Sequence, residues 1–313
     1  MVYEKVNFIG LLSNVDSSIL MLTLDHGFKI EATSEEEGTK FLLSLEGLDS
    51  MPIFHISRLE FQNKVSFELS CKSIDSNFYI VKNSLVDTHS PDPYNFSSEL
   101  NQVNQFHKEL IIDYLSPTLR LMRLFKEGDI RMPLMYYYWA DAEKHRLFSK
   151  HFSLNPVSHE LFKLEQSEIS EISDFIHLTK LPFEKSFLQL AFENFELSYN
   201  ITNASLSFLA LMVSLETLLN PSDNELSYRL SRNTAVLLGK DREHAKSIFS
   251  EVRDLYNKRS KIVHSGRTDA ISTQELLKLR RYVRESIKAI LRIGDKKEVI
   301  LDLLNSHGFG ERI

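Results

Sequence analysis

Two hydrophobic periods divide the chain. Over residues 65–71 every second position is apolar (Val65, Phe67, Leu69, Cys71), with Ser66, Glu68 and Ser70 between them. That is the period of a strand with one buried face. Cys71 falls on the apolar side, which reads as a packing residue rather than a nucleophile. The same reasoning predicts strands over residues 6–12, 19–24, 28–33, 53–61 and 78–81, and a short helix over 35–45. Residues 89–98, HSPDPYNFSS, contain two prolines and read as a loop. A helix is expected over 98–126, with Pro117 marking a kink or break. Tyr136, Tyr137, Tyr138 and Trp139 read as part of a strand, with a base-stacking platform as the alternative.

From about residue 168 the period becomes helical and stays so. Helices are expected over 168–178, 182–199, 204–219, 223–238, 241–263, 273–293 and 296–306. Their ends carry the matching chemistry. Ser222 with Glu225, and Ser272 with Glu275, read as capping boxes. Asp241 is an N-cap, and Gly239, Ser265-Gly266 and Gly294 are stops. The fold class is therefore α+β. A mostly antiparallel sheet with helices occupies residues 1–166, and an all-α bundle occupies 167–313.

Composition narrows the function classes. With 313 residues, 42% hydrophobic and 26% charged, the chain has the make-up of an ordinary globular protein. One cysteine permits no internal disulfide, so a reducing cytoplasmic setting is expected. Glu4 and Lys5 interrupt any secretory signal. The most apolar stretch, residues 204–219, is shorter than the ~20 residues a membrane span needs and contains Glu216. The net charge of −6 hides an asymmetry. Residues 200–313 hold 19 Lys and Arg against 14 Asp and Glu, a net +5, while residues 1–199 carry −11. Such a split points to a polyanionic partner for the helical half, or simply to two domains of unlike surface.

Familiar catalytic patterns are missing from the sequence. There is no Gly-rich phosphate loop and no Gly-x-Ser-x-Gly elbow. His159-Glu160 opens like a zinc-protease motif, but Lys163 stands where the second histidine belongs. No Cys/His spacing suits zinc, and neither a metal nor a cofactor is expected.

One helix departs from its own pattern. Between residues 241 and 263 the apolar positions step through Ala245, Ile248, Val252, Leu255 and Ile262. The beat missing between the last two is Arg259. An arginine on an apolar stripe needs an anion. Glu216 in the apolar 204–219 segment is the candidate structural partner, and a bound phosphate is the functional one. Five residues on stands His264, about 140° away around a continuous helix. It sits at the expected helix end, where an unwinding chain would let the side chain swing and where unpaired carbonyls favour the imidazolium. A guanidinium and a titratable imidazole are the parts for metal-free phosphodiester cleavage, the first neutralising a phosphorane and the second moving protons. The Arg-x4-His spacing alone is unspecific, since Arg146 and His151 repeat it.

Three blocks supply context: SFLALMVSLETLL at 207–219, ELSYRLSRNTAVLLG at 225–239 and EVRDLYNKRSKIVHSG at 251–266. In this order and spacing the last ~120 residues resemble the HEPN superfamily, within it the Apea-like group. The resemblance implies a four-helix bundle and a homodimer that brings two Arg/His motifs into one cleft. It further implies metal-independent RNA cleavage in antiviral or toxin systems. By position Arg259 and His264 match the catalytic pair, with Ser260 at the polar position, Glu216 as acidic helper and Arg232 as the second-helix arginine. The expected function is an endoribonuclease acting as a defence effector, with the N-terminal half sensing a phage-derived trigger. The alternatives are a non-catalytic module binding RNA or nucleotides, and a plain interaction protein.

Overall fold

The computed structural model describes residues 3–32, 78–87, 107–140, 145–151, 161–220, 225–265 and 271–311. The expected strands over 53–61 and 65–71, with Cys71, lie outside these residues. So do the helix over 35–45, the loop over 89–98, His159-Glu160 and Ser222. The chain divides into two compact units, Met1–Thr179 and Lys180–Ile313.

In the first unit, β1 (Tyr3–Ser13), β2 (Lys29–Ala32), β3 (Phe78–Asp87), β4 (Arg131–Ala140) and β5 (His145–His151) form an antiparallel sheet in the order β2-β3-β1-β4-β5. In the central strand β1, Phe8 stands opposite Lys82 of β3 and Tyr137 of β4. Phe8 and Leu12 bury one face of β1 in a core shared with Ile19, Phe28, Leu115, Met122 and Phe162. Residues 19–24 are not the expected strand. Ser17–Met21 form a 3-10 turn whose N-cap Asp16 accepts a bond from the Ser18 amide at 2.9 Å. The local polar bond wins over the short apolar run, and Ile19 is buried while Leu20 and Met21 stay exposed.

Pro117 marks a junction, as its residue type requires. Residues His107–Leu115 wind as a wider π-helix, and α1 (Ser116–Phe125) follows with the proline, which has no N–H to donate, in its first turn. Gly128, at φ +130°, lets the Phe162 backbone pack where a Cβ would stand. The helix α2 (Glu168–Leu178) buries Ile172 in this same core, with Ile169 and Ile176 against it. The division therefore falls after Thr179 rather than at 166/167, because that helix's apolar face belongs to the first core.

The described residues of the second unit are helical: α3 (Ser186–Asn200), α4 (Ala204–Leu219), α5 (Leu226–Leu238), α6 (Arg242–Ser265), α7 (Thr273–Ile293) and α8 (Lys297–Ser306). Of the expected caps Asp241, the Ser272–Glu275 box and Gly294 form, and Asn203 adds one that the sequence analysis did not name. Asn203 accepts from the Leu206 amide at 3.1 Å, and Asp241 from the His244 amide at 2.8 Å. Ser272 and Glu275 form a reciprocal capping box, and Gly294 closes α7 at φ +74°. The first box fails. Glu225 is left-handed, φ 54°, and precedes α5, so it cannot be the third residue of a helix capped by Ser222.

Helix α4 packs against α3, α5, α6 and α7. Phe208, Leu211, Met212, Leu215, Leu218 and Leu219 on it are fully buried. Facing stripes come from α6 (Ala245, Ile248, Val252, Leu255, Ile262) and α7 (Leu276, Leu279, Val283, Ile287, Ile290). Polar bridges fix α6 against α7. Glu251 accepts from Lys278 at 2.7 Å and from the Tyr282 hydroxyl at 2.9 Å, and Lys258 pairs with Glu275.

Burial works to raise the Glu251 carboxyl, but hydrogen bonds from Lys278, Ser247 and Tyr282 outweigh it and hold the group below its ordinary value. Glu275 is lowered in the same way by Lys258 and Ser272. A depressed carboxyl contributes stability above its unfolded pKa, and that contribution is lost as pH falls through the folded value. The helical unit should therefore hold its stability near neutrality and lose it below about pH 4.5. Urea unfolding between pH 7 and pH 3 should show this fall, with a shallower one in Lys278→Met. An identical fall in the variant would remove Glu251 from the account.

Candidate functional site

The stripe on α6 runs as its spacing requires, and Arg259 fills the missing beat. Its side chain is 26% exposed, and across on α4 Glu216 is 19% exposed. The closest approach is Arg259 Nε to Glu216 Oε1, 3.4 Å. Glu216 is where it is because α4 is apolar almost all round, so its one acidic side chain is drawn partly under with the helix. Burial pushes the Glu216 carboxyl up, and the Arg259 charge offsets this only in part.

The pair is an ion pair without a hydrogen bond. Glu216 Oε1 is buried and accepts none, and no guanidinium nitrogen of Arg259 donates one among the described residues. Below the guanidinium lies the ring of Tyr256, one turn earlier on α6, with its centroid 5.8 Å from the Arg259 central carbon. Burial and then the Glu216 charge raise the Tyr256 hydroxyl, with Arg259 opposing. Among the described residues Arg259 is thus held by a charge and a ring, and its N–H groups donate to none of them.

His264 differs from the expectation in one respect. The chain does not unwind before it, because α6 stays helical through Ser265. His264 is therefore locked in helical register, exposed, about 140° around and roughly 7.5 Å along the axis from Arg259. Ser260 is half-buried beside Arg259 in sequence. The alternative pair, Arg146 and His151, lies in strand β5.

No family model, curated protein or solved structure matches the chain. The geometry has to carry the functional reading by itself.

Arg232, the second-helix arginine of the resemblance, is engaged with the protein's own backbone. It donates to the carbonyls of Leu304 and His307, each at 2.9 Å, and of Asn305 at 3.3 Å. These are the orphan carbonyls at the C-terminal end of α8, so Arg232 serves as a side-chain cap. The most deeply buried arginines are also not those the pattern singled out. Arg280 and Arg284 on α7 are 2% and 3% exposed. Arg280 bonds the Ser198 carbonyl at 3.1 Å and lies 4.3 Å over the Tyr199 ring. Arg284 donates to the Tyr199 hydroxyl at 3.0 Å. Their signal was available, since each directly follows an apolar beat of its helix, Leu279 and Val283. Among the described residues no three or more His, Cys, Asp or Glu side chains stand together as metal ligands, and no helix is long and apolar enough to cross a membrane.

Three arginines therefore invite separation by stability. Arg280→Met should cost about 2–4 kcal/mol, because it strands buried acceptors. Arg232→Ala should cost about 1–2 kcal/mol through the lost cap. Arg259→Ala should cost only about 1 kcal/mol, since its pair is partly solvated and makes no hydrogen bond. Urea midpoints of the three variants provide the check. A loss at Arg259 as large as that at Arg280 would mark Glu216–Arg259 as a structural pair.

Proposed function

We propose that the chain is a metal-independent, HEPN-type endoribonuclease acting as a defence or toxin effector. The observation that carries this reading is Arg259. It is oriented by Glu216 and Tyr256, it is partly open to solvent, and it donates no hydrogen bond to a described residue, whereas Arg232 and Arg280 direct theirs to the protein's own oxygens. Pre-oriented N–H donors on a fixed cation are what a phosphodiester in transit to a phosphorane requires. The unit from Lys180 to Ile313 carries 21 Lys and Arg against 17 Asp and Glu, which also suits a polyanion.

In the proposed reaction a histidine removes the proton from the ribose 2′-hydroxyl. The 2′-oxygen attacks the adjacent phosphorus, the bond from phosphorus to the 5′-oxygen breaks, and a protonated histidine gives its proton to that oxygen. The products are a 2′,3′-cyclic phosphate and a 5′-hydroxyl. Arg259 neutralises the extra charge on phosphorus. One chain holds Arg259 and His264 on different sides of α6, so the reading includes a homodimer through the helical unit. A two-fold axis would offer four such groups to one cleft, where Arg259 of one copy can work with His264 of the other. The phage-derived trigger for the N-terminal unit belongs to the same proposal.

The separation of His264 from Arg259 within one chain is also the observation that favours the second reading, a module that binds RNA or nucleotides without cutting. Cleavage assays separate the two. Purified protein should cut RNA in EDTA, leave 2′,3′-cyclic phosphate ends and spare substrate with a 2′-deoxy scissile position. His264→Ala and Arg259→Ala should each lose at least about a hundredfold in rate, the size expected for a proton-transfer or oxyanion group. An equal mixture of the two variants should recover part of the activity if the site is shared between copies. RNA binding with no cleavage under any of these conditions would leave the binding module standing and the enzyme refuted.

A further inference from the structure

Tyr256 was not among the residues the sequence brought forward, yet it is tied to both members of the Glu216–Arg259 pair. It precedes Arg259 by three residues on α6, so the two side chains share a face of the helix. The ring centroid is 5.8 Å from the guanidinium carbon, within the ~6 Å over which a cation feels an aromatic face. The negative charge of Glu216 acts on the Tyr256 hydroxyl. That hydroxyl makes no hydrogen bond to a described residue, so the ring is the part in use.

The same unit seats arginines on rings three more times among the described residues, one of them Arg281 on Tyr282 at 5.5 Å. Arg280 lies over Tyr199 at 4.3 Å and Arg284 over Phe195 at 5.7 Å. Both also donate hydrogen bonds to the protein, to Ser198 and to Tyr199. At Arg259 the ring and the carboxylate are present but hydrogen bonds to described residues are not. An arginine has four rotatable side-chain bonds, and an ion pair without a hydrogen bond does little to choose among their rotamers. A flat ring beneath the guanidinium limits them.

We infer that Tyr256 is a positioning residue of the Arg259 site, its ring seating the guanidinium so that the N–H groups, which bond no described residue, are presented to a phosphate. This rests on the reading of Arg259 as a phosphate-binding group. Glu216 supplies the charge that keeps the guanidinium on α4, and Tyr256 supplies the surface that sets its plane.

The test uses the full chain with Tyr256→Phe and Tyr256→Leu, and Tyr256→Met in case the leucine variant does not fold. The first readout is the arginine Nε–H NMR signal assigned by its loss in Arg259→Lys. The second is the affinity for a 2′-O-methyl oligoribonucleotide, which cannot be cut. The third is kcat/KM for RNA cleavage. Phe should keep the Nε–H signal in place and stay within about twofold of wild type in both other measures. Leu or Met should move or broaden that signal and weaken oligonucleotide binding by roughly three- to tenfold, the order of one lost cation–π contact. Their melting temperatures should stay near that of Phe. If Leu and Met match wild type in signal and affinity, or if Phe falls as far as they do, Tyr256 does not position Arg259 through its ring. Absence of RNA cleavage by the wild type would refute the ribonuclease alone, because the NMR signal decides Tyr256 without any activity.

Discussion

Helix α4 is apolar almost all round, and a helix of that kind must be covered on most sides. Ser186–Asn200, Leu226–Leu238, Arg242–Ser265 and Thr273–Ile293 do the covering, each turning a stripe of Leu, Ile, Val or Phe toward Phe208, Leu211, Leu215 and their neighbours. Apolar burial at ~25 cal/mol per Å² stabilises that arrangement. It also has an electrostatic consequence. The acidic residue on α4, Glu216, is carried partly out of water, where its carboxyl is raised by burial. A cation on a neighbouring helix is then favoured at the same depth, and α6 provides Arg259 in place of an apolar residue.

The two sides of that exchange are not fully matched. An ion pair at 3.4 Å with a buried, unbonded carboxylate oxygen is incompletely satisfied. Elsewhere in the same unit arginines are satisfied thoroughly. Arg232 closes the end of α8, and Arg280 bonds Ser198 under cover of α7. Arg232 and Arg280 thus hold the protein's own oxygens, whereas Arg259 makes no hydrogen bond to a described residue. Local violations of otherwise consistent packing tend to mark function. The functional reading of this chain rests on that contrast.

The first unit follows a different logic. Its sheet is antiparallel, with β1 at the centre, and helix α2 completes the core through Ile172. The position of that helix explains the displaced boundary. Hydrophobic period marks where a helix is and which face is apolar, but two cores can compete for the same face. Ile169, Ile172 and Ile176 would suit either, and only the packed chain assigns them.

Much of the second unit was legible along the chain because its information is local. The spacing of Ala245, Ile248, Val252 and Leu255, the Ser272–Glu275 box and the stop at Gly294 depend on neighbours within a few residues. The irregular beat at Arg259 was legible for the same reason, and so was the need for an anion beside it. Tertiary structure decided what distance along the chain conceals. It made Arg232 a cap by bringing the end of α8 to it, 72 residues downstream. It buried Arg280 more deeply than Arg259 because Ser198 and Ser207 stand ready to accept its bonds. It kept α6 wound through Ser265, which leaves His264 on a different side of the helix from Arg259. Periodicity reports which residues want burial. Which donor meets which acceptor is set by the packing of helices far apart in sequence, and no local pattern contains it.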